Sequence, residues 1–176
     1  MTNTARQIIL HEDDFLVHQW QFLNDWSRTL GLIGGIGAGK TVPFLYKAFL
    51  CLTTRQGNNG KANVGIGYPT KELGKSLFFY PFLEILDKAK IKTNYTVSPS
   101  PIIRTQFGDV NIKSMQHPER IVGDTFTDSG CDELDTLPKP KGMIIVRKLR
   151  ERNRGRKDSQ FFTTSTPEGF QPVMTY

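Results

Sequence analysis

An α/β fold with a mainly parallel central sheet flanked by helices is the architecture this chain predicts, on three observations. Strand-like and helix-like stretches alternate after residue 30, the pattern of strands joined by crossover helices. The glycine-rich octapeptide Gly34-Gly35-Ile36-Gly37-Ala38-Gly39-Lys40-Thr41 sits where an apolar run gives way to a helical one. At 176 residues the chain is long enough for one domain with a real core and short for a multi-activity enzyme.

Taken in order, His18-Gln19-Trp20-Gln21-Phe22-Leu23 reads as an amphipathic helix with Trp20 and Leu23 inward. Residues 30–34 form a strand, and a helix runs from Lys40 to about Gln56, where the polar loop Gly57-Asn58-Asn59-Gly60 stops it. Val64 to Tyr68 is a second strand. Lys71 to Lys90 is helical, but Pro81 has no amide hydrogen to give and must kink or divide it. Two β-rich runs between Pro101 and Met115 flank Gly108-Asp109 and predict a hairpin turning there. Ile121 to Cys131 is a strand candidate whose last part, Thr127-Asp128-Ser129-Gly130-Cys131, is more polar than a buried central strand usually is. A helix over 138–153 follows its prolines, with Met143, Val146 and Leu149 on one face, and Gln160 to Ser165 is a β-rich run ending at Thr166-Pro167.

The formal charge of +6 is concentrated. Of 23 basic and 17 acidic residues, nine basic and one acidic lie between Lys139 and Lys157, so the remainder carries 14 against 16. That segment requires a polyanionic partner or a solvated face. Two cysteines, Cys51 and Cys131, exclude a disulfide framework and suit a reducing cytoplasm, and they and the three histidines show no metal-ligand spacing. No signal-peptide pattern and no apolar run near the ~20 residues of a membrane span is present, so a soluble protein is expected.

The octapeptide fits G-x-x-x-x-G-K-[ST] at every fixed position, which points to nucleoside triphosphates. Glycines let the backbone turn its N–H groups onto a phosphate, and the helix that follows adds its positive end. Lys40 would reach the β/γ-phosphates and Thr41 would ligate Mg²⁺. A dinucleotide-binding G-x-G-x-x-G is the competing reading, but Lys40 stands where its third glycine belongs. Hydrolysis needs a metal-side carboxylate and a group that activates water. Asp132 and Glu133 supply that pair, although the same two residues could simply open the next helix, and Asp128 is a spare metal-side acid. Thr164, Ser165 and Thr166 bring hydroxyls to a strand end, where they could meet the γ-phosphate or form an ordinary turn. Gln19 carries an amide able to pair with both edges of adenine.

Glutamine motif, phosphate loop, Asp-Glu pair and Thr/Ser-Thr-Pro strand end, in that order, resemble the ATPase domain of the large terminase subunit of tailed bacteriophages, from about Gln19 to Gly169. The resemblance implies an ATP-hydrolysing domain of the additional-strand, catalytic-glutamate (ASCE) class of P-loop NTPases, with ATP and Mg²⁺ as cofactors. It places adenine on Gln19, phosphates on Gly34, Gly35, Gly37, Ala38, Gly39, Lys40 and Thr41, Mg²⁺ on Thr41 and Asp132, water activation on Glu133, and a coupling motif on Thr164-Ser165-Thr166. Tyr68-Pro69-Thr70-Lys71-Glu72-Leu73 looks like the family's stretch after the second strand.

Two departures stand out. Many terminases carry a basic residue inside the phosphate loop, whereas this chain has Ile36, so an arginine must come from elsewhere: Arg150 first, then Arg147 and Arg120, from this subunit or a neighbour. The chain stops at Tyr176, so it is expected to be one P-loop domain, residues 1–176, without the family's nuclease domain and its DNA cleavage. The implied partners are double-stranded DNA, a portal protein, a small terminase subunit and further copies in a ring, in the host cytoplasm and transiently at the procapsid portal. Rival readings are a small nucleotide or nucleoside kinase and a non-catalytic adaptor that binds ATP.

Overall fold

The computed structural model describes residues 10–121 and 123–167. A seven-stranded sheet has the order β1-β7-β6-β2-β5-β4-β3, where β1 is Thr29–Ile33, β2 Ala62–Tyr68, β3 Thr93–Thr96, β4 Ile102–Thr105, β5 Gly108–Ser114, β6 Asp128–Asp132 and β7 Phe161–Ser165. The five strands from β1 to β5 in that order pair in parallel, and β4 and β3 extend the sheet antiparallel. Strand β7 lies between the strand that leads into the glycine loop and the strand that ends in the acidic pair.

Helices cover both faces. Phe162 points into the core shared with α2 (Thr41–Thr54) and α4 (Tyr80–Lys88), while its neighbour Phe161 packs with Ile145, Val146 and Leu149 of α5 (Lys139–Arg152). That opposition is the period-two alternation of a strand buried on both sides. Met143 does not share the inward face expected for it: it is exposed, and Gly142 completes the buried stripe with Ile145, Val146 and Leu149.

Pro81 divides the 71–90 region. A short turn, α3 (Lys71–Leu73), leads into a π-helical segment, Gly74–Phe79, and only then into α4. Tyr80 N–H bonds the Lys75 carbonyl five residues back, the wider register that accommodates a proline without an amide hydrogen one position later. The hairpin turns two residues earlier than its sequence indicates, at Gln106-Phe107, where the Thr105 hydroxyl accepts the Phe107 amide. Gly108 instead opens β5 with φ +143, against β2, and a Cβ there would stand 1.9 Å from the Ala62 carbonyl oxygen. The exposed β3 carries no apolar alternation, so hydrophobic periodicity gives no signal for it.

Candidate nucleotide-binding site

The parallel register sets Ile33 beside Ser165 and Asp132 beside Thr164, so the glycine loop, the Asp-Glu pair and the hydroxyl cluster meet at the carboxyl edge of the sheet. This is the edge at which ligands bind in open α/β sheets. The loop leaves β1, takes positive φ at Gly37 (78°) and Gly39 (70°), and enters α2 at Thr41. Lys40 is buried at 7% exposure, not open to solvent: its Nζ donates to the Gly34 and Gly35 carbonyls at 2.9 and 2.8 Å. The ammonium thus already lies in the cradle of the loop. Ile36 stands at the loop apex, 94% exposed.

The first helix, α1 (Val17–Asn24), braces that loop. Gln19 Nε2 donates to the Gly39 carbonyl at 2.9 Å and its Oε1 accepts the Leu16 amide, while the His18 ring contacts the Ala38 carbonyl at 3.1 Å. Gln19 is 6% exposed, with one hydrogen-bonding position on each end of its amide engaged. Gly39 has no room for a side chain, since its Cβ would lie 2.7 Å from Gln19 Nε2.

Asp132 ends β6 almost fully buried. Thr164 Oγ1 donates to its Oδ1 at 2.5 Å, the Glu133 amide donates to the same oxygen at 2.9 Å, and the Tyr68 hydroxyl donates to Oδ2 at 3.4 Å. Burial pushes the Asp132 carboxyl above its usual range, opposed by the Thr164 hydroxyl, the Glu133 amide, the Tyr68 hydroxyl and the charge of Lys40. Burial likewise raises the Tyr68 phenol well above its usual range. Glu133 follows in the left-handed region, φ 54 and ψ 42, which non-glycine residues seldom adopt and which clusters at functional sites. Its amide also bonds the Thr164 carbonyl, so β7 clamps the turn that presents Glu133.

The strand-end hydroxyls are turned inward. Thr163 donates to the Cys131 carbonyl, Thr164 to Asp132, and the Ser165 oxygen accepts the Asp135 amide. Ser165 also offers its carbonyl to the Gly34 amide at 3.3 Å. One strand end therefore touches the glycine loop on one side and the acidic pair on the other. Thr166, half-buried, is the hydroxyl residue of this group that lies beyond the strand.

Asp128 does not serve as the spare metal-side acid. It begins β6, at the opposite edge of the sheet, where Arg55 Nε and Nη2 bond its Oδ1 at 3.1 and 3.0 Å and the Gln160 amide adds a third bond. Arg55 and Lys47 also stack on Trp26, at 4.6 and 3.6 Å from the ring centroid. Replacing Arg55 with Met should cost about 3 kcal/mol in urea unfolding at neutral pH, because it strands a carboxylate that has no exposure. Burial already raises the Asp128 pKa, and losing Arg55 raises it further, so as pH falls the folded mutant binds a proton before the unfolded chain does. The deficit should therefore shrink as pH falls toward the usual carboxylate range. A loss under about 1 kcal/mol at neutral pH would reject this account.

The arginines separate. Arg150, near the end of α5, lines a small cavity of about 160 Å³ with Arg28, Lys157 and Phe161, which adjoin the starts of β1 and β7, so it cannot reach the glycine loop of its own chain. Arg147 is largely exposed, with Glu151 at 3.9 Å. Arg120 ends a short 3-10 turn, Pro118–Arg120, after β5, on the carboxyl edge; its side chain lies outside the described residues. Four strand spacings of about 4.8 Å, roughly 19 Å, separate β5 from β1.

Thr41 and Asp132 offer the hard oxygen donors that Mg²⁺ prefers, and Asp132 Oδ2 keeps a lone pair. Among the described residues no cluster of three His, Cys, Asp or Glu could hold a metal alone. The donor set thus fits an ion completed by phosphate oxygens and water. No helix among the described residues is long and apolar enough to cross a membrane.

His18 and Tyr68 escaped the sequence reading as members of the site. Their signal is topological: Tyr68 closes a strand that proves to be the neighbour of the acidic strand, and no local pattern states that adjacency.

The family model described as Terminase large subunit, T4likevirus-type, N-terminal, matches residues 32–175. Among solved structures, the large terminase of a thermophilic bacteriophage is similar at 16% identity with a TM-score of 0.67, over 86% of this chain and 39% of that one. The large terminase ATPase domain of Thermus phage P74-26 gives 15% identity and a TM-score of 0.67, over 87% of this chain and 65% of that one. The first of these proteins, in complex with ADP, matches at 14% identity with a TM-score of 0.66, over 85% of this chain and 38% of that one. The chain thus covers less than two thirds of each of these proteins. No curated protein matches it significantly.

Proposed function

The chain belongs to the terminase large-subunit family of the T4likevirus type, as its N-terminal part, and from that premise we propose that it hydrolyses ATP with Mg²⁺ to drive double-stranded DNA into a procapsid. Its fold is that of the terminase ATPase domains, a P-loop NTPase fold. The observation that carries the proposal is the convergence on one strand end: β7 bonds the phosphate loop through Ser165 and both members of the acidic pair through Thr164. A change at the γ-phosphate would thereby move the same backbone that holds Asp132 and Glu133, which suits a motor. Lys40 would leave its loop carbonyls for the β/γ-phosphates. Gln19 would read adenine with its remaining donor and acceptor positions, and Glu133 would orient the attacking water. When bound, Mg²⁺ neutralises charge on the phosphates.

The first test needs no partner. With ATP and Mg²⁺ and no acceptor nucleotide, the chain should release free phosphate; a strict need for an acceptor nucleotide would mark a kinase instead. The basic stretch 139–157, DNA phosphates, a portal protein and a small terminase subunit complete the machine that the family implies.

With Ile36 in the loop, the missing cation is supplied by a neighbouring copy in a ring. Arg120 takes precedence over Arg150 for this role, because its backbone lies on the nucleotide edge of the sheet yet far across it from its own phosphate loop. Specific activity should therefore rise steeply with protein concentration. Mixing Arg120→Ala chains with Glu133→Gln chains should restore turnover that neither shows alone, since each provides what the other lacks. Rescue by Arg150→Ala chains in place of Arg120→Ala would assign the finger to α5, and activity independent of dilution would reject a finger from a neighbour.

A further inference from the structure

Tyr68 ends β2 across from the acidic strand end, and the reading of the site above gives it no task. β2 and β6 run parallel with Gly67 level with Cys131, so the next residues, Tyr68 and Asp132, stand side by side. The Tyr68 side chain is fully buried, its ring edge-on to Phe44 at 6.0 Å and tilted against Phe78 at 6.1 Å. A phenylalanine would serve that packing equally well. What tyrosine adds is one hydroxyl, and it bonds Asp132 Oδ2 at 3.4 Å.

From the other flanking strand, Thr164 bonds Asp132 Oδ1, and the Glu133 amide bonds the same oxygen. The two carboxylate oxygens are therefore unequal: Oδ1 takes two hydrogens and Oδ2 takes one. We propose that Tyr68 is a positioning residue for the metal-side carboxylate, acting with Thr164 to clamp Asp132 from both neighbouring strands and to leave Oδ2 the oxygen with a lone pair for nucleotide-bound Mg²⁺. This rests on the reading of Asp132 as the Mg²⁺-side acid. Without the phenol the carboxylate keeps its anchor on Oδ1 but gains freedom to rotate about it, and the divalent ion meets a less ordered ligand.

The test uses the full chain and Mn²⁺ as the probe, titrated in the presence of ATPγS, with free Mn²⁺ read by electron paramagnetic resonance and binding normalised to the folded fraction from circular dichroism. Tyr68→Phe should weaken Mn²⁺ binding about fivefold, the order expected for one long hydrogen bond to a charged acceptor. Its binding of ATPγS in EDTA should stay that of the parent, and its thermal midpoint should barely move, because both ring contacts persist. Thr164→Val should weaken Mn²⁺ binding in the same assay, and Thr164→Ser should restore it. Unchanged Mn²⁺ affinity in Tyr68→Phe, beside an Asp132→Asn chain that binds Mn²⁺ at least about tenfold more weakly, would overturn the proposal and leave Tyr68 a packing residue. If Asp132→Asn also leaves Mn²⁺ affinity unchanged, the reading of Asp132 itself fails, and the role of Tyr68 falls with it.

Discussion

Lys40→Ala should abolish measurable ATP hydrolysis, a loss of about 1,000-fold or more, while the chain remains folded. The Lys40 ammonium lies within its own loop, bonded to the Gly34 and Gly35 carbonyls, at the spot that glycine N–H groups and the start of α2 make favourable to phosphate. On the proposed reading, removing it deletes the largest fixed positive charge offered to the transferring phosphoryl group, and interactions of that kind are worth roughly 100- to 1,000-fold each. Ile36 makes the loss more severe, because this loop carries no second cation to compensate. Stability should fall by only about 1 kcal/mol, since the two released carbonyls lie at an open loop and can turn to water. Phosphate release and the thermal midpoint, measured on the same sample, check both halves. Turnover near that of the parent would reject the phosphate-loop assignment.

Glu133→Gln is expected to bind ATP·Mg²⁺ about as well as the parent and to hydrolyse it at least ~100-fold more slowly. The amide keeps the side chain's size and the left-handed backbone at φ 54, and the main-chain bonds from Glu133 N to Thr164 and Asp132 are untouched. It cannot take a proton from water. Asp132→Asn should fail differently: it loses the charge proposed to meet the metal, so Mg²⁺-dependent nucleotide binding should weaken first. Equilibrium binding of a fluorescent ATP analogue, with and without Mg²⁺, separates the two. Asp128→Asn should disturb stability and leave the Mg²⁺ dependence alone, given its place beside Arg55 at the far edge of the sheet. Equal loss of binding and turnover in Glu133→Gln would mean that Glu133 holds the nucleotide instead of activating water.

The opposite fates of Asp128 and Asp132 show where sequence reading loses resolution. Both are acids on one polar strand, four residues apart, and in a list of residue types either could meet a metal. A strand of that length separates its ends by about 13 Å, so one lies at the ligand edge and the other at the base of the sheet. Which end is which follows from the direction of the strand within a parallel sheet. Similarly, Arg150 is near the acidic pair along the chain, yet α5 runs back down the sheet and carries it away.

By itself the sequence determined the elements whose physics is local. The glycine loop is legible because positive φ at Gly37 and Gly39 needs glycine. The division of the 71–90 region is legible because Pro81 lacks a hydrogen-bond donor. The alternation of strands and helices predicts the parallel sheet for a similar reason, since parallel neighbours need crossover helices. Tertiary structure alone decided that β7 lies between β1 and β6, that Tyr68 and Thr164 flank Asp132, and that Gln19 grips Gly39 from another helix. The three side-chain bonds from Gln19, Thr164 and Tyr68 join residues 20, 32 and 64 positions apart in the chain. Strand order is set by burying both faces of the sheet at once, a global balance that no short window of residues contains.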